Sequence, residues 1–204
     1  MPDRPTTEAP RYPPGGAVPL IAHGSVYLRP GERADVPLFV RWYTDLRTTR
    51  TLVMTSPMGE AIEERWFEGM IAAQGSGRFF YVICRREDDR PVGSIDLHEV
   101  DQGNGSASLG IAIGEDSDRG RGYGTDALIA LVTFGFDQLR LERIELEVYA
   151  FNERARGVYE RVGFVHEGTR RRALFRDGAF HDVHGMAVLR DEWAARHPRP
   201  DGSA

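Results

Sequence analysis

The sequence predicts a single α/β (α+β) domain built on a mixed sheet, and three observations lead there. Its 204 residues suffice for one well-buried core and are too few for two. The apolar pattern switches between period two and period 3.6, in the order β-α-α-β-β-β-α-β-α-β-β. No internal repeat or low-complexity break interrupts residues 22–193, which are therefore taken as one domain. The Pro- and Gly-rich start, "MPDRPTTEAPRYPPGGAVP", makes residues 1–21 a disordered tail, and residues 194–204 read as a flexible one.

Each element follows from its own pattern. Gly24 to Pro30 is a strand closed by proline. Val36, Phe39, Val40 and Tyr43 then recur at helical spacing, as do Ile62, Trp66, Met70 and Ala73 between Gly59 and Gln74. "RFFYVICRR" and "PVGSIDLHEV" are strands joined by the turn "EDDR". In the second, Ile95 and Leu97 point one way and Asp96 and His98 the other, with Glu99 opposite His98. In "SASLGIAIG", Leu109, Ile111 and Ile113 line one face, while Ser108, Gly110 and Ala112 leave the other stripped to small residues. Such a face either packs tightly under a helix or admits a ligand close to the backbone. Gly122 to Leu139 is a helix, "RIELEVY" an alternating strand, and "NERARGVYERV" a short helix with Asn152 at its N-cap position. Two long strands surround the Asp177-Gly178 turn. Of Trp42, Trp66 and Phe67, two are expected in the core.

Composition excludes several classes. All 26 basic residues are arginine, so the lysine required by a Walker phosphate loop or a Schiff-base enzyme does not exist here. A formal net charge of -5 argues against nucleic acid as a partner. No apolar run is long enough to span a membrane, and the N-terminus lacks the apolar core of a secretory signal. The single cysteine, Cys84, cannot form an internal disulfide and fits a reducing, cytoplasmic location. It lies in an apolar run, as a buried structural thiol does. His181 and His184 fall on opposite faces of a strand, so no metal site is expected.

One loop asks for an anion. Arg119-Gly120-Arg121-Gly122-Tyr123-Gly124-Thr125 lies between the small-faced strand and the Gly122–Leu139 helix. Successive N–H groups in such a turn converge on a negative ligand, and the helix dipole reinforces them. Gly122 and Gly124 would permit unusual backbone angles, Arg119 and Arg121 would reach phosphate oxygens, and Thr125 adds a hydroxyl. The glycine spacing is not the G-x-G-x-x-G of a dinucleotide fold.

These residues resemble the GCN5-related N-acetyltransferases (GNAT). Arg119, Gly122 and Gly124 fit the family's Gln/Arg-x-x-Gly-x-Gly/Ala motif. Asn152, Ala155, Tyr159, Glu160, Gly163 and Phe164 fit N-x-x-A-x-x-x-Y-E-x-x-G-F. The ending "DGAFHDVHGMAVL" is similar to that of a branch holding spermidine acetyltransferases and acetyltransferases of ribosomal-protein N-termini. The resemblance covers about residues 24 to 193. It implies a mixed, mostly antiparallel, twisted sheet flanked by helices and splayed between its fourth and fifth strands, with acetyl-CoA in the gap.

Transfer of acetyl from a thioester to a primary amine needs a neutral amine, a polarised carbonyl and a proton for the departing thiolate. The strand at Ile111, Ala112 and Ile113 would hold the pantetheine, with the N–H near Ile113 polarising the thioester oxygen. Residues Arg119 to Thr125 would hold the diphosphate, with Asn152 and Arg156 beside the cofactor. Tyr159 would protonate the thiolate. Glu99 and Asp96 are the candidate bases, ahead of His98. The acceptor is expected to be a small amine or polyamine, although no acidic cluster is evident in the sequence. A peptide N-terminus and a catalytically silent CoA-binding domain are the alternatives. Members of the family are often dimers, so a homodimer is among the assemblies the resemblance implies.

Overall fold

The computed structural model describes residues 21–54 and 59–198. Of the expected tail, residues 1–21, residues 1–20 lie outside them, as do the last residues, 199–204; Ile21 is instead buried in the core, and its carbonyl accepts from Leu28 N–H. The elements run β1 (Ala22–His23), β2 (Val26–Pro30), a 3₁₀ turn (Arg33–Asp35), α1 (Val36–Thr44), α2 (Leu46–Thr49) and α3 (Glu60–Ala73). Then come β3 (Arg78–Arg85), β4 (Pro91–Asp101), β5 (Ser106–Ile113), a second 3₁₀ turn (Asp116–Asp118) and α4 (Tyr123–Gln138). The chain finishes with β6 (Arg143–Tyr149), α5 (Glu153–Val162), β7 (Val165–Arg176), β8 (Ala179–Leu189) and α6 (Arg190–Arg196). No helix among the described residues is long and apolar enough to cross a membrane.

The eight strands form one sheet in the order β1-β2-β3-β4-β5-β6-β8-β7. Every neighbouring pair is antiparallel except β5 and β6. All the expected strands and helices are present. Three elements were not read from the sequence: β1, α2 and α6, each too short for periodicity to register. Helix α6 carries ordered chain to Arg196, past the expected boundary at residue 193. The β7–β8 hairpin turns at Asp177 and Gly178, with φ 52° and 77°, the left-handed pair that a two-residue hairpin loop requires.

The sheet is apolar on both faces. On one, Leu128, Leu131 and Val132 of α4 pack on Ile95, Leu97 and Ile144. On the other, Phe39 and Trp42 of α1 and Phe67 and Met70 of α3 cover Phe80, Val82 and Cys84. Each such side chain contributes about 1.5–3 kcal/mol by leaving water. Trp42 and Phe67 are buried, Trp66 only partly. Burial pushes the Cys84 thiol up to about 11, so it stays protonated and inert at neutral pH.

Helix α3 corrects the expected stripe. Ile62 is 53% exposed, and Glu63 and Phe67 join the expected Met70 in facing inward. Neither carboxylate oxygen of Glu63 has a hydrogen-bond partner among the described residues. Desolvation raises its pKa from 4.5 to about 7. The folded chain therefore keeps a proton that the unfolded chain has lost, and stability falls as pH rises from 4.5 to about 7. The loss reaches at most ~3 kcal/mol and stays constant at higher pH. Glu63→Gln is expected to recover most of it at pH 8 and almost none at pH 4.5, read from urea midpoints. Equal effects at both pH values would show that the buried charge is not the cause.

Candidate active site

The site begins where two strands part. β5 pairs with β6 only through Ser106, Ala107 and Ser108, whereas its other edge is laddered to β4 from Ser106 to Ile113. Gly114 N–H donates to Val92 C=O on the β4 side. By alternation, the N–H groups of Leu109, Ile111 and Ile113 face the gap. An extended ligand could add there as a strand. A parallel strand whose neighbour leaves after three residues cannot close its own ladder, and this opens the sheet.

The small face of β5 also serves close packing. A Cβ on Gly110 would sit 2.6 Å from Asp96 Oδ1, and one on Gly114 would overlap the Trp42 indole. These two are small where β4 and α1 approach, while Ala112, Ser108 and Gly110 of the same face line the cavities beside the free edge.

The gap leads to a cavity of about 450 Å³ lined by Ile111, Ala112, Ile113, Arg119, Gly120, Gly122, Gly124, Thr125, Asn152 and Tyr159, among others. Gly120 and Gly122 have φ of 81° and 90°, so the loop turns through two left-handed residues. The expectation for Gly124 is corrected: it is an ordinary helical residue in the first turn of α4. The first intrahelical bond runs from Asp126 N–H to Gly122 C=O. The amides of Tyr123, Gly124 and Thr125 thus precede the ladder, at the positive end of the α4 dipole.

The arginines divide their work. Arg119 binds Asp116 at 2.6 Å and donates to Thr48 Oγ1 and the Ile113 carbonyl, clamping the loop to α2 and to the end of β5. Arg121 donates to the Ser117 carbonyl and is exposed. Arg156 pairs with Glu160 at 3.3 Å. Tyr123 is buried below the loop, its hydroxyl 3.4 Å from Arg85 Nη1. These last three do not line the cavity.

Asn152 accepts from Ala155 N–H and starts α5. That helix presents Ala155, Val158 and Tyr159 to the cavity. Burial raises the Tyr159 phenol to about 12, which keeps its proton in place at neutral pH.

Tyr159 also lines a second cavity, of about 540 Å³, on the other side. Here tertiary structure assembles what the sequence had not revealed. Glu99 of β4, Glu145 and Glu147 of β6 and Glu167 of β7 converge on one space. Arg143 serves both Glu145 and Glu167, Arg170 pairs with Glu147, and Glu99 accepts from Ser108 Oγ. Four carboxylates against two arginines leave the cavity acidic.

The acetyltransferase (GNAT) domain profile matches residues 25–165. The chain belongs to the GNAT family. The putative ribosomal N-acetyltransferase YdaF of Bacillus subtilis (strain 168) is 38% identical over 106 residues, 52% of this chain. That alignment spans 57% of YdaF, little more than half its length. Spermidine N(1)-acetyltransferase of Escherichia coli (strain K12) is 27% identical over 176 residues, 86% of this chain and 92% of the relative. The crystal structure of spermidine N-acetyltransferase from Vibrio cholerae in complex with CoA and spermine matches with a TM-score of 0.77. It covers 83% of this chain and 98% of that one at 22% identity, a likeness of fold.

In this GNAT chain, then, the splay lies between β5 and β6, the fourth and fifth strands of the sequence reading once the short β1 is added. Acetyl-CoA is the acetyl donor of GNAT domains. An unpaired strand edge followed by a left-handed glycine turn and free helix amides fits its pantetheine and diphosphate. Thr48, Thr51, Leu52, Glu147 and Arg154 also line the gap but were not picked out. Only Arg154, next to the Asn152 cap, lay within a readable motif.

Proposed function

We propose that this chain acetylates a primary amine by direct attack on acetyl-CoA in a ternary complex, and that the acceptor is a small polycation of the polyamine type. The acidic cavity on the far side of Tyr159 is the observation that carries this reading. Acetyl-CoA supplies the activated acetyl group. The amides of Tyr123, Gly124 and Thr125, with the Arg154 guanidinium at the rim, hold its diphosphate. The gap-facing N–H groups of Leu109, Ile111 and Ile113 orient the pantetheine and polarise the acyl oxygen. Tyr159 holds the proton that the departing sulfur requires. Glu99, Glu145, Glu147 and Glu167 hold the remaining ammonium groups of the acceptor, as fits the spermidine acetyltransferases among the relatives. Such chemistry suits a cytoplasmic protein.

Thiol release with spermidine, butylamine and a short peptide with a free N-terminus tests the reading. Spermidine is expected to exceed butylamine at least tenfold in kcat/KM, with the gap narrowing as salt rises. Glu147→Gln should raise the spermidine KM by about fivefold, the equivalent of ~1 kcal/mol. Equal rates for spermidine and butylamine would refute the polycation. A preference for the peptide would favour the protein N-terminus, the acceptor suggested by the name of YdaF.

A further inference from the structure

An acidic cavity stabilises an ammonium, yet only the neutral amine attacks the acyl carbon. Some group must take that proton. Building on the transferase reading, we infer that His98 is the group that accepts it and that Asp96 is its positioning residue.

The backbone of β4 carries the first argument. Strict alternation would send His98 and Glu99 to opposite faces, but the β4–β5 register slips between His98 and Asp101, and Glu99 has φ 51°. A non-glycine residue in the left-handed region is imposed by its surroundings, and bulges of this kind re-aim side chains beside active sites. The outcome is that His98 and Glu99 both line the acidic cavity, which Tyr159 also reaches.

The ring itself carries the second. Nδ1 of His98 and Oδ2 of Asp96 are both buried; neither makes a hydrogen bond among the described residues, and Oδ2 is held by the ion pair to Arg78. They lie 3.4 Å apart. Asp96 thus acts on the ring through its charge rather than through an aligned hydrogen bond, and Nε2, the nitrogen not buried against Asp96, is the one that can accept a proton in a ring that is 29% exposed. Gly110 makes the room: a Cβ there would press on Asp96 Oδ1 at 2.6 Å and reach within 3.7 Å of His98 Cε1.

The step balances simply. An N–H bond of the acceptor ammonium breaks, an Nε2–H bond forms, and the positive charge passes from substrate to imidazolium. Asp96 stabilises that charge from behind, with Arg78 held 2.9 Å from the same carboxylate oxygen. Glu99 on β4, Glu145, Glu147 and Arg143 on β6, Glu167 on β7 and Tyr159 on α5 face the ring's cavity. The proton leaves to water. Glu99 and Asp96 take different tasks in this arrangement. Glu99 belongs to the ammonium-binding cluster, whereas Asp96 does not line the cavity and is engaged by Arg78. An imidazole is also the side chain best matched to proton transfer near neutral pH.

The test uses full-length chain, CoA-thiol release, and two amines: spermidine and 2,2,2-trifluoroethylamine, which is already neutral at pH 7. His98→Gln is expected to lower kcat/KM for spermidine by about 10²-fold and to leave trifluoroethylamine within about threefold of wild type. Added imidazole should restore part of the spermidine rate, and the calorimetric affinity for CoA should not change. Asp96→Asn should displace the acidic limb of the kcat/KM pH profile. Equal losses on both amines would make His98 a structural residue and overturn the inference, as would no loss on either. Wild-type chain that turns over no amine at all removes the transferase reading, and this inference with it, so the two failures are told apart.

Discussion

Tyr159→Phe is expected to lower kcat by about 10²–10⁴-fold, the range a positioned general acid contributes. The affinity for CoA should stay within about threefold of wild type. The phenol lines both cavities, together with Thr51, Leu52, Ile111 and Glu147, and is the only one of these side chains that keeps an acidic proton at neutral pH to give to a thiolate. Burial holds it at about 12, so it remains a proton donor throughout the pH range in which a departing thiolate needs one. Phenylalanine keeps the ring and its edge-to-face contact with Phe164 at 6.0 Å, and removes only the hydroxyl. Stopped-flow thiol release with calorimetry on the same preparation separates chemistry from binding. An unchanged kcat would make Tyr159 a packing residue and leave the leaving group to solvent.

Asp35→Ala is expected to cost about 3–5 kcal/mol of folding stability. Arg29 and Asp35 form a two-pronged pair, at 2.7 and 2.6 Å, with side chains 2% and 7% exposed. Asp35 also accepts from Glu32 N–H, which shapes the 3₁₀ turn ahead of α1. Truncating one partner strands a guanidinium in the core beside Cys84, and that uncompensated charge is the main cost. Urea unfolding should show the midpoint fall with little change in slope. Replacing both partners, Arg29→Met with Asp35→Leu, should recover most of the loss. A single-variant cost below about 1 kcal/mol would place the pair in effectively solvated surroundings.

Both expectations show what a linear reading reaches. Tyr159 was legible because its motif is local: Asn152 caps α5, and the helix carries Tyr159 to a fixed place beside the gap. The glycine turn was legible for the same reason, except that the left-handed residues are Gly120 and Gly122, not Gly124. Arg121, Tyr123 and Arg156 sit in the same motifs but turn to the Ser117 carbonyl, the core and Glu160. Motif spacing specifies the backbone, whereas each side chain's direction depends on neighbours far away in sequence. The burial of Arg29 within an apparently ordinary strand, and of Glu63 in a helix whose stripe pointed to Ile62, failed to register on the same grounds.

By itself the sequence determined seven of the sheet's eight strands, the four longer helices, the anion-binding turn and the family, because periodicity, caps and glycines act over a few residues. Tertiary structure alone decided the acceptor side. Glu99, Glu145, Glu147 and Glu167 come from three strands and become one acidic site only where β4, β6 and β7 converge. The slip in β4 register that turns His98 into that space is equally invisible along the chain. Electrostatic fields add through space, so charges scattered over a sequence acquire a common meaning only when the fold brings them within a few ångströms.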